Sequence, residues 1–218
     1  MNDVANSFLL VYAGLFPIVN PLGSAPIFLD MTRHCTDEER RALAGRVAAN
    51  GFFLLLGSLF VGSHVLEFFG ITLPVVRIAG GLVVTAFAWQ LLHAGEQQEK
   101  QGVTEAARAI VPSDAFYPLT MPLTVGPGSI SVAITLGSQR PKTATGLADL
   151  ALLGGAAVAG LAAIAATIYL CYRFAEPMVA VLGVRGANVL VRLSAFILLC
   201  IGIEIIWSGC SALLGLAR

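Results

Sequence analysis

Two short motifs gather the groups of this chain that could bind a solute. Pro17-Ile18-Val19-Asn20-Pro21-Leu22-Gly23-Ser24 interrupts one long apolar stretch, and Pro122-Leu123-Thr124-Val125-Gly126-Pro127-Gly128-Ser129 interrupts another. Their side chains, Asn20 and Ser24 in the first stretch and Thr120, Thr124, Ser129 and Ser131 in the second, are neutral hydrogen-bonding groups. No acidic or basic residue lies between Asp3 and Asp30 or between Asp114 and Arg140. The backbone adds to this inventory. Proline removes an amide donor and clashes with the preceding turn, and an interior glycine costs about 1 kcal/mol relative to alanine, so neither motif continues a helix undisturbed. In apolar surroundings the freed amides and carbonyls must find partners, and a polar solute can supply them. A half-helix amino terminus suits a carboxylate, and the carbonyls at the opposite kind of end suit an ammonium group or a cation. This is the chemistry of holding a small zwitterion or a neutral polar solute.

The elements that position these motifs follow from composition. The chain is 57% hydrophobic and 12% charged, with a mean hydropathy of +0.83, whereas a soluble domain is roughly a quarter charged. A membrane-embedded, all-α protein is expected. A hydrocarbon core of roughly 30 Å takes about 20 mostly apolar residues per helix, and six stretches meet this: Phe8–Leu29, Val47–Phe69, Val76–His93, Ala115–Gly137, Leu147–Tyr172 and Val191–Leu214. Helices 1 and 4 would be discontinuous at the two motifs. Met1 to Ser7 has no Lys or Arg, so the first stretch reads as a retained span and not as a secretory signal. Lys and Arg divide nine to four between the two sets of loops, with Arg33, Arg40, Arg41 and Arg46 in the first loop. The excess marks the cytoplasmic side and leaves both termini facing the opposite side, the periplasm of a bacterium. The formal net charge is zero, and no basic stripe interleaved with aromatics is present, so nucleic acid is a poor partner.

The motifs also repeat. Residues 17–31 align with 122–136 without a gap, matching Pro17 with Pro122, Gly23 with Gly128 and Ser24 with Ser129; a second block matches Arg77 with Arg192. The chain then divides into a first three-helix repeat (residues 1–94), a polar cytoplasmic linker (95–114) and a second three-helix repeat (115–218). Copies with an odd number of spans enter the membrane from opposite sides, so these would be inverted repeats, an architecture of many secondary transporters. Such an arrangement brings the two broken helices together near the midplane.

Other polar residues in the spans are weaker candidates. Glu204 lies inside the last span, where an ionisable group is costly and could carry a coupling proton. Asn50 can bond an unwound segment of a neighbouring helix, and Asp149 occupies a similar depth from the other side. Arg77 and Arg192 each begin a helix, where snorkelling or pairing with carboxylates such as Glu67 or Glu176 is expected. The small residues between Gly154 and Ala163 suit close helix packing or a homo-oligomer contact. Cys35, Cys171, Cys200 and Cys210 are scattered without a CxxC pair or a His at ligand spacing, so no metal site or disulfide framework is expected, and no cofactor motif is present. No Ser/His or His/Asp combination falls at membrane depth, which argues against an enzyme.

The run Phe16-Pro17-Ile18-Val19-Asn20-Pro21-Leu22-Gly23-Ser24-Ala25-Pro26-Ile27-Phe28-Leu29, with Pro118-Leu119-Thr120-Met121-Pro122-Leu123-Thr124-Val125-Gly126-Pro127-Gly128-Ser129-Ile130, resembles the MarC family of integral membrane proteins. The resemblance covers essentially the whole chain. It implies a multi-pass inner-membrane protein related to amino-acid exporters of the LysE type, moving small neutral amino acids such as glycine and alanine. Carried over, it places the substrate site at Asn20, Pro21, Gly23 and Ser24 from the first helix and at Thr124, Gly126, Gly128 and Ser129 from the fourth. Transport against a gradient would need a coupling ion, a proton or sodium. The competing readings are export of drugs or other small solutes, and a membrane protein that transports nothing.

Overall fold

Helices account for every regular element of the computed structural model, which describes residues 2–97, 115–138 and 147–215. In chain order they are α1 (Asn2–Val19), α2 (Pro21–Met31), α3 (Asp37–Phe68), α4 (Leu73–Gln97), a π-helical segment (Ala115–Thr124), α5 (Pro127–Ser138), α6 (Leu147–Arg173) and α7 (Ala175–Leu213). Four single helices are long and apolar enough to cross a membrane. Two bent pairs, α1 with α2 at 43° and the π-helical segment with α5 at 70°, raise the number to six if each pair is one span. The breaks fall at the two Pro/Gly motifs, as proline chemistry requires.

Two loops expected from hydropathy are helical. α3 begins at Asp37, well before Val47, because Thr36 and Glu39 form a capping box: the Glu39 amide donates to Thr36 Oγ1 at 3.3 Å, and the Thr36 amide donates to the Glu39 carboxylate at 2.8 Å. Three acidic residues in the first turn complement the helix dipole. Arg40, Arg41 and Arg46 therefore project from a helix and not from a loop. Likewise α7 starts at Ala175, with a single break at Gly183, whose φ of 67° and ψ of 169° suit glycine alone. Within the expected linker, α4 continues to Gln97, and residues 98–114 lie outside the described residues.

The core has two parts. Val11, Leu15 and Val19 of α1 pack with Leu43, Val47, Leu55 and Leu59 of α3 and with Leu161, Ile164 and Ile168 of α6, at spacings that return each residue to one helix face. A smaller cluster joins Val84 and Ala88 of α4 to Leu198 of α7. Lipid tails are as apolar as these side chains, so packing between spans rests on dispersion and close approach. The α4–α7 contact shows how close: a methyl group added at Gly81 would stand 2.8 Å from the Gly202 carbonyl oxygen, and one at Gly202 would stand 3.1 Å from that of Gly81. Gly160 of the small-residue stripe does the same for α1, with its added methyl 3.0 Å from the Phe8 carbonyl, while Gly154 and Gly155 face open space.

Candidate functional site

The first break is made by one residue. Asn20 adopts the left-handed conformation (φ 46°, ψ 56°), and its Oδ1 accepts the Gly23 amide at 3.2 Å as the cap of α2. Such a backbone costs about 1–2 kcal/mol for most residues, and asparagine lowers that cost through a local hydrogen bond of this kind. Backbone pairing persists around it: the Asn20 amide reaches Phe16 O at 2.9 Å and the Ser24 amide reaches Asn20 O at 3.0 Å. The break is thus a hinge and not an unwound stretch. What it frees are carbonyls at the end of α1: Pro21 offers Pro17 no N–H one turn later, and the Gly23 amide one turn beyond Val19 goes to Asn20 Oδ1 instead.

The second break is wider. Tyr117 and Met121, each preceding a proline, have extended backbones inside the helical segment. The loosened ladder is closed by threonines: Thr120 Oγ1 donates to Ala115 O and Thr124 Oγ1 to Leu119 O, both at 2.7 Å. The Val125 amide reaches Thr120 O at 2.8 Å, and beyond the bend Ser129 Oγ donates to Gly126 O at 2.9 Å. Asn50 of α3 supports this segment by donating to Thr120 Oγ1 at 3.4 Å, the neighbour contact its position suggests.

Tyr172 of α6 ties the two breaks together. Its fully buried hydroxyl lies 2.7 Å from Thr124 Oγ1 and donates to Ser24 Oγ at 3.1 Å, while its ring stacks on Phe28 at 4.3 Å. Ser24 Oγ in turn donates to Asn20 O at 2.9 Å. Nothing in the sequence singles this tyrosine out, since an aromatic at a span end ordinarily reads as an interfacial anchor.

Two adjoining cavities flank the breaks. One, about 70 Å³, is lined by Thr124, Gly126, Gly128 and Ser129; the other, about 20 Å³, by Asn20, Gly23 and Ser24. Ile18, Phe87, Leu123 and Leu198 line both. Of the eight first-choice residues, seven meet here and Pro21 is buried behind the lining. The glycines have a second task. A methyl group on Gly23 would stand 2.6 Å from Ser194 Cβ of α7, and one on Gly128 would collide with Val84 Cγ2 of α4, so both let a neighbouring helix approach.

The charged candidates lie elsewhere. Asp149 is exposed in the first turn of α6, and Glu204 is exposed on an outward stripe of α7 beside Ile203 and Trp207; neither lines these cavities. Arg77 does not pair with Glu67 or Glu176. Its guanidinium donates at 3.5 Å to Thr135 Oγ1 of α5 and Ser208 Oγ of α7, and Glu176 is taken by Arg40 at 2.9 Å. Arg192 is exposed.

Residues 5–214 match the model of the MarC family integral membrane proteins. Among similar proteins, a UPF0056 membrane protein of Archaeoglobus fulgidus is 29% identical over 93% of this chain and 91% of its own length. The UPF0056 membrane protein YhcE of Escherichia coli strain K12 is 33% identical over 91% of this chain and 89% of its own. The UPF0056 inner membrane protein MarC of Salmonella typhimurium is 28% identical over 96% of both. No solved structure matches the chain. With an all-helical build, breaks at both Pro/Gly motifs and a family match over nearly its full length, this chain belongs to the MarC family of integral membrane proteins.

Proposed function

We propose that this protein is a secondary transporter of small neutral amino acids of the glycine and alanine type, working by alternating access around its two broken helices. The observation that carries the reading is the convergence of both breaks on the Tyr172 hydroxyl and on two cavities with common walls. The amino terminus of α5, at Gly126 to Ser129, offers amides and a partial positive charge to a carboxylate. The carboxyl end of α1, where Ile18, Val19 and Asn20 line the smaller cavity, offers backbone carbonyls and Asn20 Oδ1 as acceptors to an ammonium group. A zwitterion with one or two carbons between its charges suits a site of this kind.

Size weighs against drug export. Cavities of about 70 and 20 Å³ fall well below the roughly 300–1,000 Å³ that hold a drug-sized ligand. We place the six spans as two inverted three-helix repeats, with both termini periplasmic by the distribution of Lys and Arg. The bacterial inner membrane is the proposed location, in line with the name of the Salmonella relative. A proton or sodium gradient would drive the cycle.

Uptake of labelled glycine and alanine into proteoliposomes, with proton and sodium gradients imposed in turn, tests this. Saturable flux, competed by unlabelled glycine and enhanced by one gradient, is expected. Absence of saturable flux under every gradient, from protein that remains folded, refutes amino-acid transport.

A further inference from the structure

A third cavity, of different chemistry, opens where α3 starts and α6 turns into α7. It measures about 220 Å³ and is lined by Asp37, Arg40, Arg41, Arg173, Phe174 and Glu176. Arg40 is its structural staple. Only 13% of that side chain is exposed; Nη1 donates to Glu176 Oε2 at 2.9 Å and to Asp37 Oδ1 at 3.3 Å, and Nη2 donates to Cys35 O at 3.4 Å. The two carboxylates are 82% and 64% exposed and each spends one oxygen on Arg40, so each keeps the other oxygen free to accept.

The other two guanidiniums have donors to spare. Arg41 is exposed and has no partner among the described residues. Arg173 is held by aromatic faces, 5.9 Å from the Tyr169 ring centre and 5.5 Å from that of Phe174, with one hydrogen bond from Nη1 to Tyr169 Oη at 3.1 Å. Its Nε and Nη2 remain available. The apolar part of α6 ends at Arg173, and the exposed ring of Phe174 follows it, so the cavity opens at headgroup depth if α6 spans the bilayer.

We propose that this cavity binds the phosphoethanolamine headgroup of a membrane phospholipid. Arg41 and Arg173 hold the phosphodiester through charge-assisted hydrogen bonds, and the free oxygens of Asp37 and Glu176 accept from the primary ammonium. The paired signs select this headgroup. A phosphocholine carries the same charges but has no N–H to donate, and a phosphoglycerol has no cation for the carboxylates. The site is separate from the broken helices and stands or falls independently of the transport proposal.

The test is native mass spectrometry of the full-length protein released from nanodiscs containing equal amounts of phosphatidylethanolamine, phosphatidylcholine and phosphatidylglycerol. Phosphatidylethanolamine is expected to be retained about tenfold over phosphatidylcholine, the scale set by charge-assisted hydrogen bonds made by one lipid and not the other. Arg41→Ala should lower the retention of phosphatidylethanolamine and phosphatidylcholine alike, since both carry the phosphodiester, without changing the melting temperature, because Arg41 supports nothing else. Asp37→Asn should narrow the preference over phosphatidylglycerol. Equal retention of phosphatidylethanolamine and phosphatidylcholine, phosphatidylglycerol bound as well as phosphatidylethanolamine, or undiminished retention of phosphatidylethanolamine in Arg41→Ala would each overturn the proposal. Displacement of the lipid by millimolar inorganic phosphate would overturn it too, by assigning the site to a free anion.

Discussion

Replacing Tyr172 with phenylalanine removes one oxygen from the junction of the two breaks, and the structure sets the size of the effect. Three hydroxyls, those of Ser24, Thr124 and Tyr172, carry three protons but make four close contacts, to Asn20 O, to Leu119 O and to each other. In Tyr172→Phe the Ser24 proton still reaches Asn20 O at 2.9 Å and the Thr124 proton still reaches Leu119 O at 2.7 Å, so no buried donor is orphaned. The loss is therefore close to one ordinary hydrogen bond, about 1 kcal/mol. Tyr172→Ala also removes the ring stacked on Phe28 at 4.3 Å and leaves a cavity, which costs about 3–5 kcal/mol for a large aromatic. Both variants can be compared by reversible unfolding in mixed micelles, with Trp89 and Trp207 as fluorophores. A loss of 1 kcal/mol also shifts an equilibrium between two arrangements of the breaks about fivefold, which transport kinetics would register under the proposed function. A Tyr172→Phe loss as large as that of Tyr172→Ala, or no loss in stability and no change in kinetics, would refute the hydroxyl's role as the tie between the breaks.

Two further outcomes follow from the first break. Asn20→Gly keeps access to the left-handed backbone and should lose no more than a few tenths of a kcal/mol, whereas Asn20→Ala forfeits both cap and conformation and should lose about 2 kcal/mol; equal unfolding energies for the two would contradict the hinge geometry. Gly23→Ala places a methyl group 2.6 Å from Ser194 Cβ and should destabilise by about 1–3 kcal/mol. Combining it with Ser194→Gly should restore part of that loss, since the added methyl group still presses on Asn20 Nδ2, and simple additivity in the double-mutant cycle would show that the two positions do not press on each other.

Legibility in the sequence tracked how local each cause is. The breaks were readable because proline and glycine act on their own backbone and the turn beside them, and the spans because hydropathy is summed along the chain. The early start of α3 was also local: Thr36 and Glu39 carry the capping-box spacing. Hydropathy alone concealed it, since a helix can leave the apolar layer and continue in polar residues. The expected pairing of Arg77 with Glu67 or Glu176 failed for the opposite reason. Its partners Thr135 and Ser208 come from α5 and α7, and which helices flank a position is a matter of packing.

The amino-acid sequence by itself determined an all-helical membrane protein with breaks at Asn20 and around Gly126, because backbone chemistry and apolar length act over a few residues. The resemblance to the MarC family added Asn20, Pro21, Gly23, Ser24, Thr124, Gly126, Gly128 and Ser129 as candidates, of which all but Pro21 line the cavities. Only the tertiary structure decided that Tyr172 ties the breaks and that Gly23 and Gly128 give room to Ser194 and Val84. It also decided that Glu204 faces outward, away from the cavities flanking the breaks. A hydroxyl, a missing methyl group or a carboxylate carries the same local signature whether it meets a neighbour, a cavity or lipid. Which of these it meets is set by helices far apart in the chain, and in a bilayer that choice turns on close packing and not on hydrophobicity.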